Sequence, residues 1–140
     1  MIRLYLDIDG VLLTAKHTQA AVGVDAFVDF VTSQFNCYWL TTHCKGASST
    51  ALRYVVRFLL PATVEKLNTV QPTTWDTLKT EAIGMRSEFY WLDDNPLQIE
   101  IAQLRTYGVE NRLILVDLNQ TNELLRVQTV LERKVKERLW

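Results

Sequence analysis

The chain has 140 residues, of which 48% are apolar and 22% charged, with a net charge of −1. That length matches a single domain over residues 1–140, and the apolar share is enough for a packed core. The near-zero charge excludes a strong basic field that would draw nucleic acid or an anionic membrane non-specifically. Two cysteines, Cys37 and Cys44, make no disulfide framework and fit reduced thiols in a cytoplasmic protein. No run of ~18 apolar residues exists to span a membrane. The first residues, "MIRLYLD", read as a strand and not as a signal peptide.

The first predicted element is a strand over residues 2–8, an apolar run broken by Arg3 and Asp7. Such a run suits a central strand covered on both faces. Residues 24–35 place Val24, Phe27, Val28, Val31 and Phe35 on one helical stripe, with Asp25 near the start. Residues 36–43, "NCYWLTTH", form the second strand. A helix is expected over residues 48–60, with Leu52, Val55, Val56, Leu59 and Leu60 inward and Pro61 as its stop. Residues 63–67 read as a short strand, and residues 74–83 as a helix ended by Gly84. The strand over 88–92 leads into "DDNP", and Pro96 suits the first turn of a helix running to about residue 107. Residues 112–118, "RLILVDL", form another strand. A long amphipathic helix over 121–139 carries Leu124, Val127, Leu131 and Val135 on one stripe. Strands alternating with helices imply an α/β fold, a Rossmann-like central parallel sheet with helices on both faces.

In an open parallel sheet, ligands bind beyond the carboxyl ends of the strands. The first strand ends in Asp7 and Asp9, the second in Thr41, Thr42 and His43, and a later one in Asp93, Asp94 and Asn95. Four carboxylates brought together repel unless a hard divalent cation lies among them. Mg²⁺ fits best, because it prefers oxygen ligands and keeps waters that a phosphate can displace.

These residues carry a resemblance. "LDIDGVLL", "YWLTT", a lysine and "FYWLDDNP", in that order, resemble the four motifs of the haloacid dehalogenase (HAD) superfamily. The likeness runs from Ile2 to about Asp117. The overall layout is also similar to the small HAD domains associated with RNA-repair proteins. The resemblance implies a three-layer HAD fold and a Mg²⁺-dependent phosphatase. By position it implies that Asp7 is the nucleophile, forming an aspartyl-phosphate. Asp9 would be the general acid and then the base, and its backbone carbonyl would bind the metal. Thr41 would hydrogen-bond a phosphoryl oxygen, with Thr42 as the alternative. Asp93 and Asp94 would hold Mg²⁺, one directly and the other through water, in an order left open. Lys79 is the expected active-site lysine, as the family's lysine precedes the last motif; Lys66 is its rival.

Only about thirty residues separate Asp9 from Thr41, and fewer than forty separate Thr41 from Lys79. No cap domain fits there, so the site is expected to be open. An open site favours a macromolecular phosphorylated substrate, such as a nucleic-acid end or a phosphoprotein. A second copy of the chain would be the other source of a lid. The alternatives are a catalytically retired partner-binding module and a phosphorylatable receiver-type module. The receiver order of motifs differs from the order here. His17 is expected on an exposed loop. His43 neighbours the site, and no further Cys/His pair has the spacing of a zinc site. Trp39, Tyr90 and Trp91 are expected in the core, while Trp75 is open to packing under a helix or stacking on a base.

Overall fold

The structure, a computed structural model, describes residues 1–44 and 46–138. Strand β1 (Arg3–Leu6) leads through a long loop to helix α1 (Val24–Gln34) and strand β2 (Asn36–Trp39). Helices α2 (Ser48–Val55) and α3 (Pro61–Leu67) follow, then a 3₁₀ turn over Lys79–Ala82. Strand β3 (Phe89–Asp93), helix α4 (Gln98–Thr106), strand β4 (Leu113–Leu115) and helix α5 (Glu123–Arg138) complete the chain. The strands pair in parallel in the order β2-β1-β3-β4. This is the expected α/β, Rossmann-like arrangement.

Alternation along the strands divides the core in two. Leu4, Leu6, Cys37, Trp39, Leu92 and Ile114 face one side of the sheet and pack with α1, α2, α3 and α5. Tyr5, Phe89 and Trp91 face the other side, with Leu104 of α4 and Ile83. One face therefore carries four helices and the other carries α4 with the 3₁₀ turn. Full burial of one leucine or phenylalanine stabilises by roughly 1.5–3 kcal/mol, so both clusters matter to the fold. The stripe of α5 works as expected, with Leu124, Val127 and Leu131 buried and Val135 partly so. Trp39 and Trp91 are fully buried and Tyr90 partly so, while Trp75 packs against the smaller cluster. Cys37 and Cys44 are free and buried. Among the described residues, no helix is long and apolar enough to cross a membrane.

Three expectations are corrected. Residues 63–67 are helical, not extended, because Pro61 starts α3 at its first turn. The same proline holds Leu60 extended, at ψ 146°, and the expected helix over 48–60 ends earlier still, at Val55, the chain continuing through turns to Leu59. Val56 and Leu60 consequently point to solvent, while Leu59 is buried. Residues 74–83 form only the 3₁₀ turn. Here the Glu81 carboxylate accepts the backbone N–H groups of Asp76, Thr77 and Leu78, satisfying them outside a helix.

Candidate functional site

The sheet positions the site. Leu6 of β1 is level with Trp39 of β2 and Leu92 of β3, so the residues after all three reach one edge. The strand order reverses between β1 and β3, which is the switch point where such sheets bind ligands. Asp7 leaves β1 there and Asp93 ends β3 beside it. One carboxylate oxygen from each of Asp7, Asp93 and Asp94 lies within 4.8 Å of the others. Asp7 and Asp93 are buried and Asp94 is exposed.

Lys79 reaches this group from the 3₁₀ turn. Its Nζ donates to Asp7 Oδ2 at 3.0 Å and to Asp93 Oδ2 at 2.7 Å. Lys66 instead pairs with Asp29 on the surface, at 2.9 Å. A buried carboxylate not seen from the sequence sets the position of the turn. Glu100 accepts the backbone N–H of Lys79 at 2.6 Å and that of Leu97 at 2.8 Å. It thereby ties the lysine's turn to the start of α4, just past Asp93 and Asp94. The Thr80 hydroxyl adds a bond to Gln103 of α4. A glutamate three residues into a helix, reaching back to its first N–H, is a known capping pattern and was the available signal.

Gly10 allows the acidic loops to meet. A Cβ built there would lie 2.2 Å from Asp94 Cγ, and its φ of +85° is left-handed. The charges at the site do not balance. Burial pushes the Asp7 carboxyl up to about 6 against the pull of Lys79, and the charge of Asp93 adds to the rise. Burial, then the charge of Asp93, also raises Asp94. Burial pulls the Lys79 ammonium down, but Asp7 and Asp93 outweigh it and hold it above its ordinary value. Among the described residues, Lys79 is the cation at the three carboxylates, and it bonds two of them. An all-oxygen donor set with surplus negative charge fits a hard divalent cation such as Mg²⁺.

Asp9 is placed differently. It lies outside the oxygen cluster, with 39% of its side chain exposed. Tyr54 of α2 donates its hydroxyl to Asp9 Oδ1 at 3.0 Å, and His43 Nε2 lies 2.9 Å from Oδ2. Burial raises the Tyr54 hydroxyl, and so does its bond to Asp9. Nothing in the local sequence pointed to Tyr54, which meets Asp9 across 45 positions. Thr41 is fully buried and its Oγ1 accepts the His43 N–H at 3.3 Å, while Thr42 is exposed. His17 is exposed, as expected. A groove of about 550 Å³ opens from Gly10 and Asp94 between the loops holding Lys16 and Asp117. The stretches between Asp9 and Thr41 and between Thr41 and Lys79 hold α1, and α2 with α3, packed into the core.

This arrangement can hold a cation, present a buried carboxylate to a bound anion, and hold a second carboxylate at a wetter position. Compared with protein-family models, curated proteins and solved structures, the chain has no significant match, so the reading of the site rests on its own geometry.

Proposed function

We propose that the chain is a Mg²⁺-dependent phosphatase of the haloacid dehalogenase type. It would hydrolyse phosphate monoesters through an aspartyl-phosphate on Asp7. The observation that carries this is Asp7 itself, a buried strand-end carboxylate paired with Lys79 beside Asp93 and Asp94. Asp9 stands apart, on its own partners.

Asp7, Asp93 and Asp94 would hold the ion, with the Asp9 carbonyl as a further ligand. Bound there, Mg²⁺ offsets the repulsion between the Asp7 carboxylate and a phosphate dianion. Lys79 keeps Asp7 ionised and oriented. An Asp7 oxygen attacks phosphorus as the bond to the leaving oxygen breaks, and Asp9 gives that oxygen its proton. In the second half, water attacks the phosphorus. Asp9 takes the proton from that water, the bond to Asp7 breaks, and inorganic phosphate leaves. Thr41 or Thr42 would donate a hydroxyl to a phosphoryl oxygen. Thr42 is already open to solvent, whereas Thr41 needs its loop to move. The lack of an inserted cap supports a large substrate that covers the site itself, such as a phosphorylated nucleic-acid end or phosphoprotein. The reduced-thiol composition is in keeping with a cytoplasmic setting.

The test is a phosphate-release panel with Mg²⁺. It spans p-nitrophenyl phosphate, sugar phosphates, nucleotides, phosphopeptides and oligonucleotides phosphorylated at either end. Hydrolysis should stop with EDTA and fall by about 10³-fold or more in Asp7→Asn. Full activity in Asp7→Asn overturns the mechanism. A folded protein inactive on the whole panel would instead point to a retired, partner-binding module.

A further inference from the structure

We infer that His43 and Tyr54 are positioning residues that aim the Asp9 carboxyl at the leaving-group oxygen. The inference rests on the reading of Asp9 as the proton donor proposed above.

A carboxylate on a partly exposed loop ordinarily turns freely about two torsions. Asp9 has both oxygens held from different parts of the fold, Oδ1 by Tyr54 and Oδ2 by His43. The two anchors also hold each other. Their rings stack with centroids 3.8 Å apart and planes within 11°. Phe58 packs edge-on against Tyr54 at 5.6 Å. Each anchor is itself tied to a rigid element. Tyr54 belongs to α2, whose Ala51 and Val55 are fully buried. The backbone N–H of His43 is bonded to Thr41, two residues past Trp39, the last residue of β2. The carboxyl is thus held in one direction although it is partly exposed.

A wet surface aspartate needs no such support to be stable. Fixing it does serve proton transfer, which depends on distance and direction. A misplacement of about 1 Å can cost about 10²-fold. General acid catalysis is itself worth roughly 10²–10⁴-fold, so losing its aim has a measurable ceiling. The pair also keeps the Asp9 carboxyl away from the oxygen cluster of Asp7, Asp93 and Asp94. It stays available to the departing group instead of joining the metal.

The leaving group provides the test. An alkyl phosphate must have its departing oxygen protonated, whereas p-nitrophenyl phosphate releases a stable phenolate unaided. The readout is the ratio of kcat/KM on a simple alkyl phosphate to kcat/KM on p-nitrophenyl phosphate, with Mg²⁺, because kcat/KM covers the steps up to departure of the leaving group and not the aspartyl-phosphate hydrolysis that both esters share. This ratio does not depend on what fraction of a preparation is folded, so a merely structural role leaves it alone. Tyr54→Phe keeps the stack and removes only the hydroxyl, and His43→Leu removes the second anchor. Each should lower the ratio about tenfold or more. His43→Gln, which returns an N–H near the place of Nε2, should bring it back to within about threefold of the parent. Asp9→Asn should lower it furthest. An unchanged ratio in both Tyr54→Phe and His43→Leu, beside a fallen one in Asp9→Asn, overturns the positioning inference alone. An unchanged ratio in Asp9→Asn overturns the role of Asp9 and the inference with it. No turnover of either ester by the parent protein overturns the phosphatase reading itself.

Discussion

Asp7 and Asp9 leave the same strand two positions apart, yet they are held by unlike means. Asp7 is buried beside a lysine that reaches in from the thinly covered face of the sheet. Asp9 is partly wet and is held by a tyrosine and a histidine from the other side of the site. The difference follows from solvent. Where water is excluded, a carboxylate needs an opposite charge, because an unpaired one costs several kcal/mol. Where water remains, hydrogen-bond partners suffice, and they set the carboxyl's direction. The buried half of the site is suited to holding charge, and the open half, under the function proposed, to moving a proton.

That contrast can be broken at several points. The largest structural effect is expected from Lys79→Met. It leaves Asp7 and Asp93, both buried, without their cation. Urea unfolding in EDTA should show a loss of about 3 kcal/mol or more, part of it recovered with Mg²⁺. A loss below about 1 kcal/mol would mean that burial at Asp7 is less demanding than its surroundings imply.

The pH dependence of the metal-free protein comes next. Burial raises Asp7 to about 6 in the folded protein. An unfolded aspartate lies near ~3.9, so the folded state holds this proton more tightly. The stability it contributes is present below pH ~4 and is lost as pH rises through the folded value. Two pH units correspond to about 3 kcal/mol. In EDTA, the parent should lose about that much relative to Asp7→Asn between pH ~4 and ~7, read from urea midpoints. Comparison with Asp7→Asn cancels the opposing slopes of Glu81, Glu110, Asp117 and Glu123, whose hydrogen bonds lower them. Mg²⁺ should flatten the difference, because the ion compensates an ionised Asp7. A parent that gains stability relative to Asp7→Asn as pH rises would reverse the electrostatic account.

The smallest effect is expected from Lys66→Ala. Its pair with Asp29 is exposed on both sides, and such pairs contribute little. Stability should change by no more than about 0.5 kcal/mol and Mg²⁺-dependent activity should stay at the parent level. A large loss of activity would return Lys66 to contention as the site lysine.

Much of this was legible in the chain. Apolar runs ending in "DID", "LTTH" and "LDDNP" mark strand ends, and parallel pairing sends all such ends to one edge. Continuous apolar runs marked β1 and β3, which are covered on both faces, and helical periodicity marked α1 and the α5 stripe, because one buried face repeats regularly along each helix. Patterning failed where proline chemistry and side-chain capping overrode it, at Pro61 and in the loop held by Glu81. It also left Lys66 and Lys79 as rivals. Both precede the last acidic pair, and spacing alone does not say which reaches it.

The sequence by itself determined the α/β alternation and the residue types at the strand ends, because both are local properties of the chain. Tertiary structure decided the charge partners and the directions. It placed Lys79 on Asp7 and Asp93, tied the lysine's turn to α4 through Glu100, and brought Tyr54 and His43 to the two oxygens of Asp9. Those contacts join residues 14 to 72 positions apart, and no short-range pattern encodes a meeting that depends on how the elements pack.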